Sequence, residues 1–225
     1  MYTRMLVQSI LWLLISALLL FVPAGTIKWW AAWVYILENS ICGLCIGFWL
    51  AKHDPELLKE RLSFIIQPEQ KGWDKILMSV FLVLIIAWYP FMAHDVKVHG
   101  FFLVPLLLQI LGALGIVISM LLTFFTFRQN TYAAPVVKIQ KNRKHKVISS
   151  GLYGYVRHPM YSGALFYFFG APLLLGSWLG LIFSLLLSIL IAFRAYMEEQ
   201  TLVKELEGYS QYMKKVPYRL IPYVW

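Results

Sequence analysis

Six apolar runs divide the chain: Met5–Val22, Trp29–Ala51, Ile76–Ala93, Phe101–Phe127, Met160–Leu175 and Trp178–Phe193. A helix that crosses a bilayer needs roughly 20 predominantly apolar residues, and the first four runs meet that length closely enough. The last two are shorter and are parted only by Gly176 and Ser177. The pattern predicts an all-α, polytopic integral membrane protein with five or six transmembrane helices. The final two form a helical hairpin, so the start of the fifth run and the end of the sixth lie at the same membrane edge. The first run exceeds the roughly 7–15-residue core of a cleaved signal and carries only Arg4 before it, which predicts a retained helix.

Two segments outside the runs have patterns of their own. Asp54-Pro55 is a helix start signal and predicts a short interfacial helix. Leu202, Leu206, Tyr209, Met213 and Val216 recur at three- and four-residue spacing, the apolar stripe of a C-terminal amphipathic cytoplasmic helix. Gly208 weakens that helix midway, and Pro217 and Pro222 exclude its continuation. The organisation expected is a set of N-terminal transmembrane helices over residues 1–127 and a catalytic region over residues 128–225.

Composition sharpens the class. Of 225 residues, 60% are hydrophobic and 14% charged, against about 45–50% and about 25% in soluble domains. A disordered chain, a coiled coil and an ordinary soluble enzyme are thereby excluded. The net charge of +9 would suggest a nucleic-acid partner if the basic residues formed a patch. They lie instead between the apolar runs. With six crossings, every Lys and Arg except Lys28 and Lys97 falls on one side, which predicts both termini in the cytoplasm, the bilayer as partner and no nucleic acid. Cys42 and Cys45 sit within one run and form no disulfide framework.

The densest polar and aromatic cluster is Gly151-Leu-Tyr-Gly-Tyr-Val-Arg-His-Pro-Met-Tyr-Ser-Gly163. Proline favours the first helical position and disfavours helix before it, so His158 caps a helix beginning at Pro159. The unpaired N–H groups of such a first turn suit an anion. Arg157 adds positive charge, and Tyr153 and Tyr161 flank the position. An Arg-His pair snorkelling to lipid headgroups would have the same pattern. At the end of the sixth run, Arg194 and Glu198 share a helix face, and the hairpin brings them beside the first cluster. Glu38 is costly within lipid and is a functional candidate on that ground. His94 and His99 flank Asp95 in what reads as a short external loop. No phosphate-binding glycine motif and no nucleophile elbow occurs.

The Arg-His-Pro-Met-Tyr cluster, the hairpin, Arg194-(x)3-Glu198-Glu199 and the tail Tyr209-(x)2-Tyr212-(x)3-Val216-Pro217 resemble the isoprenylcysteine carboxyl methyltransferase family, and the phospholipid methyltransferases beside it. The resemblance covers about residues 128–225. It implies S-adenosyl-L-methionine as cofactor, bound on the cytoplasmic side, and a lipophilic or prenylated acceptor. It implies cofactor contacts from Gln140, His145, Lys146, Val147, Ile148, Tyr153, His158, Pro159, Met160, Tyr161 and Glu198, with Arg194 as the catalytic residue facing the acceptor carboxylate. Phospholipid N-methylation is the alternative within methyl transfer. The tail also resembles the ending of sterol reductases that use NADPH. Those enzymes carry Asn and Asp near the first cluster, where this chain has neither. A non-catalytic membrane scaffold or transporter would leave the Arg157-His158-Pro159 cluster without a role.

Overall fold

Every regular element in the computed structural model is helical, among the residues it describes, which are 1–64, 66–100 and 104–225. In chain order they are α1 (Tyr2–Ala24), α2 (Trp30–His53), α3 (Pro55–Arg61), α4 (Gly72–His99), α5 (Leu106–Gln129), α6 (Pro159–Leu175), α7 (Trp178–Glu205) and α8 (Tyr209–Lys215). Short 3-10 turns at Lys141–Arg143 and Gly151–Gly154 precede α6. The protein is a multi-pass membrane protein: α1, α2, α4, α5 and α7 are each long and apolar enough to cross a bilayer. The fifth apolar run became α6, of 17 residues. At 1.5 Å per residue it reaches about 25 Å, against a hydrocarbon core of about 30 Å.

The helix boundaries follow local chemistry. Asp54 caps α3, its Oδ1 accepting from Leu57 N at 3.0 Å, with Pro55 in the first turn. His158 precedes α6, which opens on Pro159. Gly176 ends α6 with φ +88° and lets the chain reverse. Ser177 Oγ then accepts from Gly180 N at 2.9 Å and caps α7. Residues 101–103, the expected beginning of the fourth run, lie outside the described residues; α5 is described from Leu106. Asp95 and its flanking histidines belong to the last turns of α4 rather than to a loop. Asp95 is buried because it bridges helices, accepting from Ser177 Oγ at 2.6 Å and meeting His99 Nδ1 at 2.8 Å.

The C-terminal stripe is split between two helices. Gly208 takes φ +83°, so the chain bends between α7 and α8. Leu206, Tyr209, Tyr212 and Val216 still meet in one small core with Leu202 and Met213 packed against it. The stripe was a sound guide to burial and a poor guide to continuity, because a glycine in that conformation breaks the helix without moving the apolar side chains apart.

Lipid tails are as apolar as leucine, so helices in a bilayer associate through close packing and polar contacts. Both occur here. A Cβ added at Gly170 of α6 would lie 2.7 Å from Gly112 O on α5, so these backbones touch. Tyr35, Tyr89 and Tyr167 join α2, α4 and α6 through their hydroxyls, with Asn39 Oδ1 accepting from Tyr167 Oη at 3.1 Å. Ser184 Oγ of α7 donates to Phe168 O of α6 at 2.5 Å. Around these contacts Trp88, Met92, Ile116, Leu174 and Leu175 form the core.

Gly170→Val should lower the thermal unfolding midpoint of the detergent-solubilised protein, by the equivalent of about 1–3 kcal/mol for overpacking. Gly43→Ala, at a position with open space around it, should leave that midpoint unchanged or slightly higher.

Candidate functional site

α7 has 28 residues and is therefore about 42 Å long, which exceeds the hydrocarbon core by about two turns. Its last turns project past the boundary, where α6 begins. Arg194 and Glu198 thus come to the edge at which His158 and Tyr161 stand. The segment between α5 and α6 closes over them, and the C-terminal tail passes beneath.

Three charged centres fix this geometry. The first is Glu199, which is fully buried. It accepts from Arg157 Nε at 2.6 Å, His158 Nε2 at 3.1 Å and Arg219 Nε at 2.8 Å. Arg157 also donates through Nη1 to Val216 O at 2.8 Å and Pro217 O at 2.7 Å. The tail is further held by Arg157 N donating to Tyr218 O and His158 N to Arg219 O, both at 3.0 Å. The second centre is Asp74 at the start of α4, also fully buried. It accepts from Arg194 Nε at 2.8 Å, Gln70 Nε2 at 2.8 Å and Val137 N at 2.8 Å. The third is Arg143, which donates to Thr131 O at 2.7 Å, Gln140 Oε1 at 2.8 Å and Glu56 Oε2 at 2.9 Å. With Lys138 and Glu60, paired at 2.8 Å, it staples the 130–148 segment onto α3.

These supports enclose a cavity with about 810 Å³ of atom-free space, including its mouth toward solvent. His145, Lys146, Val147, Ile148, Tyr153, His158, Pro159, Met160, Tyr161, Arg194 and Glu198 all line it. Asn130, Tyr132 and Tyr209 join them. Gln140 does not reach the wall. It is buried, and its Nε2 donates to Tyr132 O at 2.8 Å, so it shapes the segment that carries Tyr132.

The polar groups on the wall are unevenly committed. Glu198 Oε2 accepts from Tyr161 Oη at 2.6 Å, and Tyr161 Oη in turn accepts from Arg194 Nη1 at 2.8 Å. The side chain of Glu198 remains 23% exposed. Tyr132 and His145 stack with ring centroids 4.4 Å apart. His145 Nδ1 and Tyr209 Oη are buried and have no hydrogen-bond partner among the described residues. Burial first, then the Arg143 charge, pulls the His145 imidazole down to about 4. Burial also holds the phenols of Tyr153, Tyr209 and Tyr212 above their usual value. These rings are neutral hydrogen-bonding surfaces at physiological pH.

Two expectations change. Arg157 is not a free positive charge, because Glu199 and two tail carbonyls consume it. The first turn of α6 is a poorer anion site than its sequence suggests. Tyr161 N and Ser162 N both donate to His158 O at 3.0 Å, and two carboxylates already stand against that end. Asp74, Glu199 and the tail carbonyls are not marked by the sequence, because the arginines they hold lie far from them along the chain. The adjacent Glu198-Glu199 pair was the one available signal, since helix geometry turns neighbours to different sides.

A second, apolar groove runs along the lipid side of α5 and α6, with about 1,360 Å³ of atom-free space including its open side. Leu111, Leu122, Phe166 and Phe169 line it, with Leu220 and Ile221 of the tail. Pro159 belongs to both walls.

Residues 107–208 match the model of the phospholipid methyltransferase family. The matched segment contains the whole of α6, of α7 and of the 130–148 stretch, and so most of the cavity wall. A protein-S-isoprenylcysteine O-methyltransferase of Schizosaccharomyces pombe is 39% identical over 84 residues, 36% of this chain and 36% of that protein. One from Saccharomyces cerevisiae is 27% identical over 186 residues, 81% of this chain and 76% of that protein. A Delta(14)-sterol reductase of Mus musculus is 30% identical over 156 residues, 62% of this chain and 37% of that protein. The match thus spans about a third of the fission yeast and mouse relatives and about three quarters of the budding yeast one.

The lowered His145 pKa has a consequence for stability. The unfolded imidazole takes up a proton near pH 6.5 and the folded one only near 4, so the unfolded state binds more protons between these values and stability falls as pH drops through that window. Thermal melts from pH 7 to pH 4 should therefore decline less steeply for His145→Gln than for the unaltered protein.

Proposed function

We propose that the protein is a membrane methyltransferase that uses S-adenosylmethionine to methylate a lipophilic acceptor, at the carboxylate of an isoprenylcysteine-like group. The observation that carries this reading is the joining of two kinds of space at Pro159: a polar and aromatic cavity for a soluble, charged donor, and an apolar groove open to the bilayer for an acceptor's hydrocarbon. Both termini lie on the cytoplasmic side in this reading, following the distribution of Lys and Arg.

The donor set suits the cofactor. S-adenosylmethionine carries an adenine ring, ribose hydroxyls, an ammonium group, a carboxylate and a sulfonium. The stacked Tyr132 and His145 offer a flat surface and one unsatisfied ring nitrogen, and Tyr209 offers an unsatisfied hydroxyl. Glu198, partly exposed on the wall, would accept from the ammonium or ribose. Lys146, on the same wall, would face the carboxylate. Val147, Ile148, Pro159 and Met160 supply apolar lining. When bound, the cofactor supplies a methyl group from a positively charged sulfur, which leaves as a neutral thioether.

An ionised carboxylate has no proton to lose at neutral pH, so the protein's work is alignment and exclusion of water. Arg194 reaches the wall through Tyr161 and stands beside the acceptor. Its charge is shared with Asp74, so it orients the acceptor and fixes Tyr161 and Glu198 in one hydrogen-bonded line. His158, stacked on Tyr161 with centroids 5.3 Å apart and tied to Glu199, holds that line from the other side.

Isothermal titration in detergent should find binding of S-adenosylmethionine and none of NADPH. Glu198→Ala should weaken donor binding about tenfold or more, the loss of a charge-assisted hydrogen bond, and His158→Ala should weaken it too. Unchanged affinity in both variants contradicts the site, and NADPH binding would favour the reductase reading. Arg194→Lys, chosen because Arg194→Ala would strand the buried Asp74 carboxylate, should lower turnover of the acceptor more than donor affinity. Equal loss of both would assign Arg194 to the donor or to structure.

A further inference from the structure

The carboxylates around the cytoplasmic edge are engaged almost without exception. Asp54 and Glu56 face Arg143 at 3.8 and 2.9 Å. Glu60 pairs with Lys138 at 2.8 Å. Asp74 holds Arg194, and Glu199 holds Arg157, His158 and Arg219. Arg61, the last residue of α3, is left out of this pairing. It is half-buried, and no carboxylate among the described residues lies within ion-pairing distance of it.

Its surroundings are apolar. The guanidinium carbon stands 4.8 Å over the Phe127 ring, and Nη1 reaches Met160 Sδ at 3.9 Å. Phe127, Met160, Leu57 and Leu58 pack in one cluster. Burial, and then the like charge of Arg194, draws the guanidinium down to about 10, partly offset by Tyr161. The group is still charged at neutral pH. A cation held away from water beside another cation and without a counter-charge is costly unless an anion arrives to pair with it. Met160 is the bridge to the cavity, since it forms part of the wall on which the donor and acceptor meet.

We propose that Arg61 anchors an anionic group of the lipophilic acceptor, a carboxylate or a phosphate, beside the first turn of α6. The assignment to an acceptor rests on the methyl-transfer reading above; the anion site itself does not. Arg61 supplies the net positive charge that Arg194, neutralised by Asp74, lacks. Its planar fork matches either oxyanion. Where the bound group is the carboxylate that becomes methylated, the new ester has no charge to pair with Arg61, so the product is held less tightly than the substrate.

The test compares three ligands with the same oleoyl chain, titrated into the purified protein in detergent: oleate, methyl oleate and oleoyl lysophosphatidate. S-adenosylmethionine is titrated in parallel. The unaltered protein should bind oleate or the lysophosphatidate about tenfold more tightly than methyl oleate, and whichever anion binds more tightly identifies the group. Arg61→Gln should abolish that preference and leave affinity for S-adenosylmethionine unchanged. Arg61→Lys should retain part of it and guards against a folding defect in the first variant. A preference that survives Arg61→Gln, or no preference in the unaltered protein, overturns the proposal. Arg61-dependent anion binding without any binding of S-adenosylmethionine would keep the anion site and reject methyl transfer.

Discussion

One buried carboxylate organises the end of this protein where α6 begins and α7 finishes. Glu199 gathers Arg157, His158 and Arg219, which come from the entry to α6 and from the tail, onto the last turns of α7. The arginines satisfy its charge, and the backbone carbonyls of Val216 and Pro217 take up what remains of Arg157. Such a centre is expensive to form, and removing one partner of a buried pair costs about 3–5 kcal/mol. Its value is geometric. With two arginines and a histidine fixed on one anion, the turn before α6 cannot drift, and the wall formed by His158, Pro159, Met160 and Tyr161 is held against Glu198.

The bilayer sets the rest of the arrangement. α6 is too short for the full hydrocarbon core and α7 is longer than it, so the hairpin they form is uneven at its open end. The shortfall leaves room where α6 begins, and the overhang supplies charged side chains to border it. Asp74 does at the start of α4 what Glu199 does at the end of α7, bringing the 130–148 segment down onto Arg194. The cavity is thus the space between two buried anions and the cations they hold, with Glu198 as the carboxylate left facing inward. Pro159 lines both the polar cavity and the apolar groove, so the two spaces meet at the first turn of α6.

Much of this was legible in the order of residues. The six runs became six apolar helices, and the proline after His158 marked where α6 starts. The proximity of α6's beginning to α7's end followed from a two-residue turn. Nearly all of the side chains expected at the site do line one cavity, Gln140 excepted, because local spacing and the hairpin together determine where they go. What stayed hidden depends on contacts between distant parts of the chain. Asp74 and Arg194 are separated by 120 positions, and no periodicity links them. Arg157 reads as a free cation until the tail is seen to fold back under it. Arg61 is unremarkable in Asp54-Pro-Glu-Leu-Leu-Lys-Glu-Arg61, and its isolation emerges only when every neighbouring acid has found another partner. The break at Gly208 is visible as a glycine, but whether such a residue bends a helix is decided by tertiary packing.

The most direct test of the central role of Glu199 is hydrogen exchange, read by mass spectrometry, in Glu199→Gln against the unaltered protein. The amides of Arg157 and His158, which donate to tail carbonyls, and those of Leu220 and Ile221 within the tail should exchange faster in the variant. The amides in the middle of α2 and α5 should keep their protection. Equal protection of the tail in both proteins would mean that it is held by something other than this carboxylate, and the account of how the cavity is shaped would be wrong.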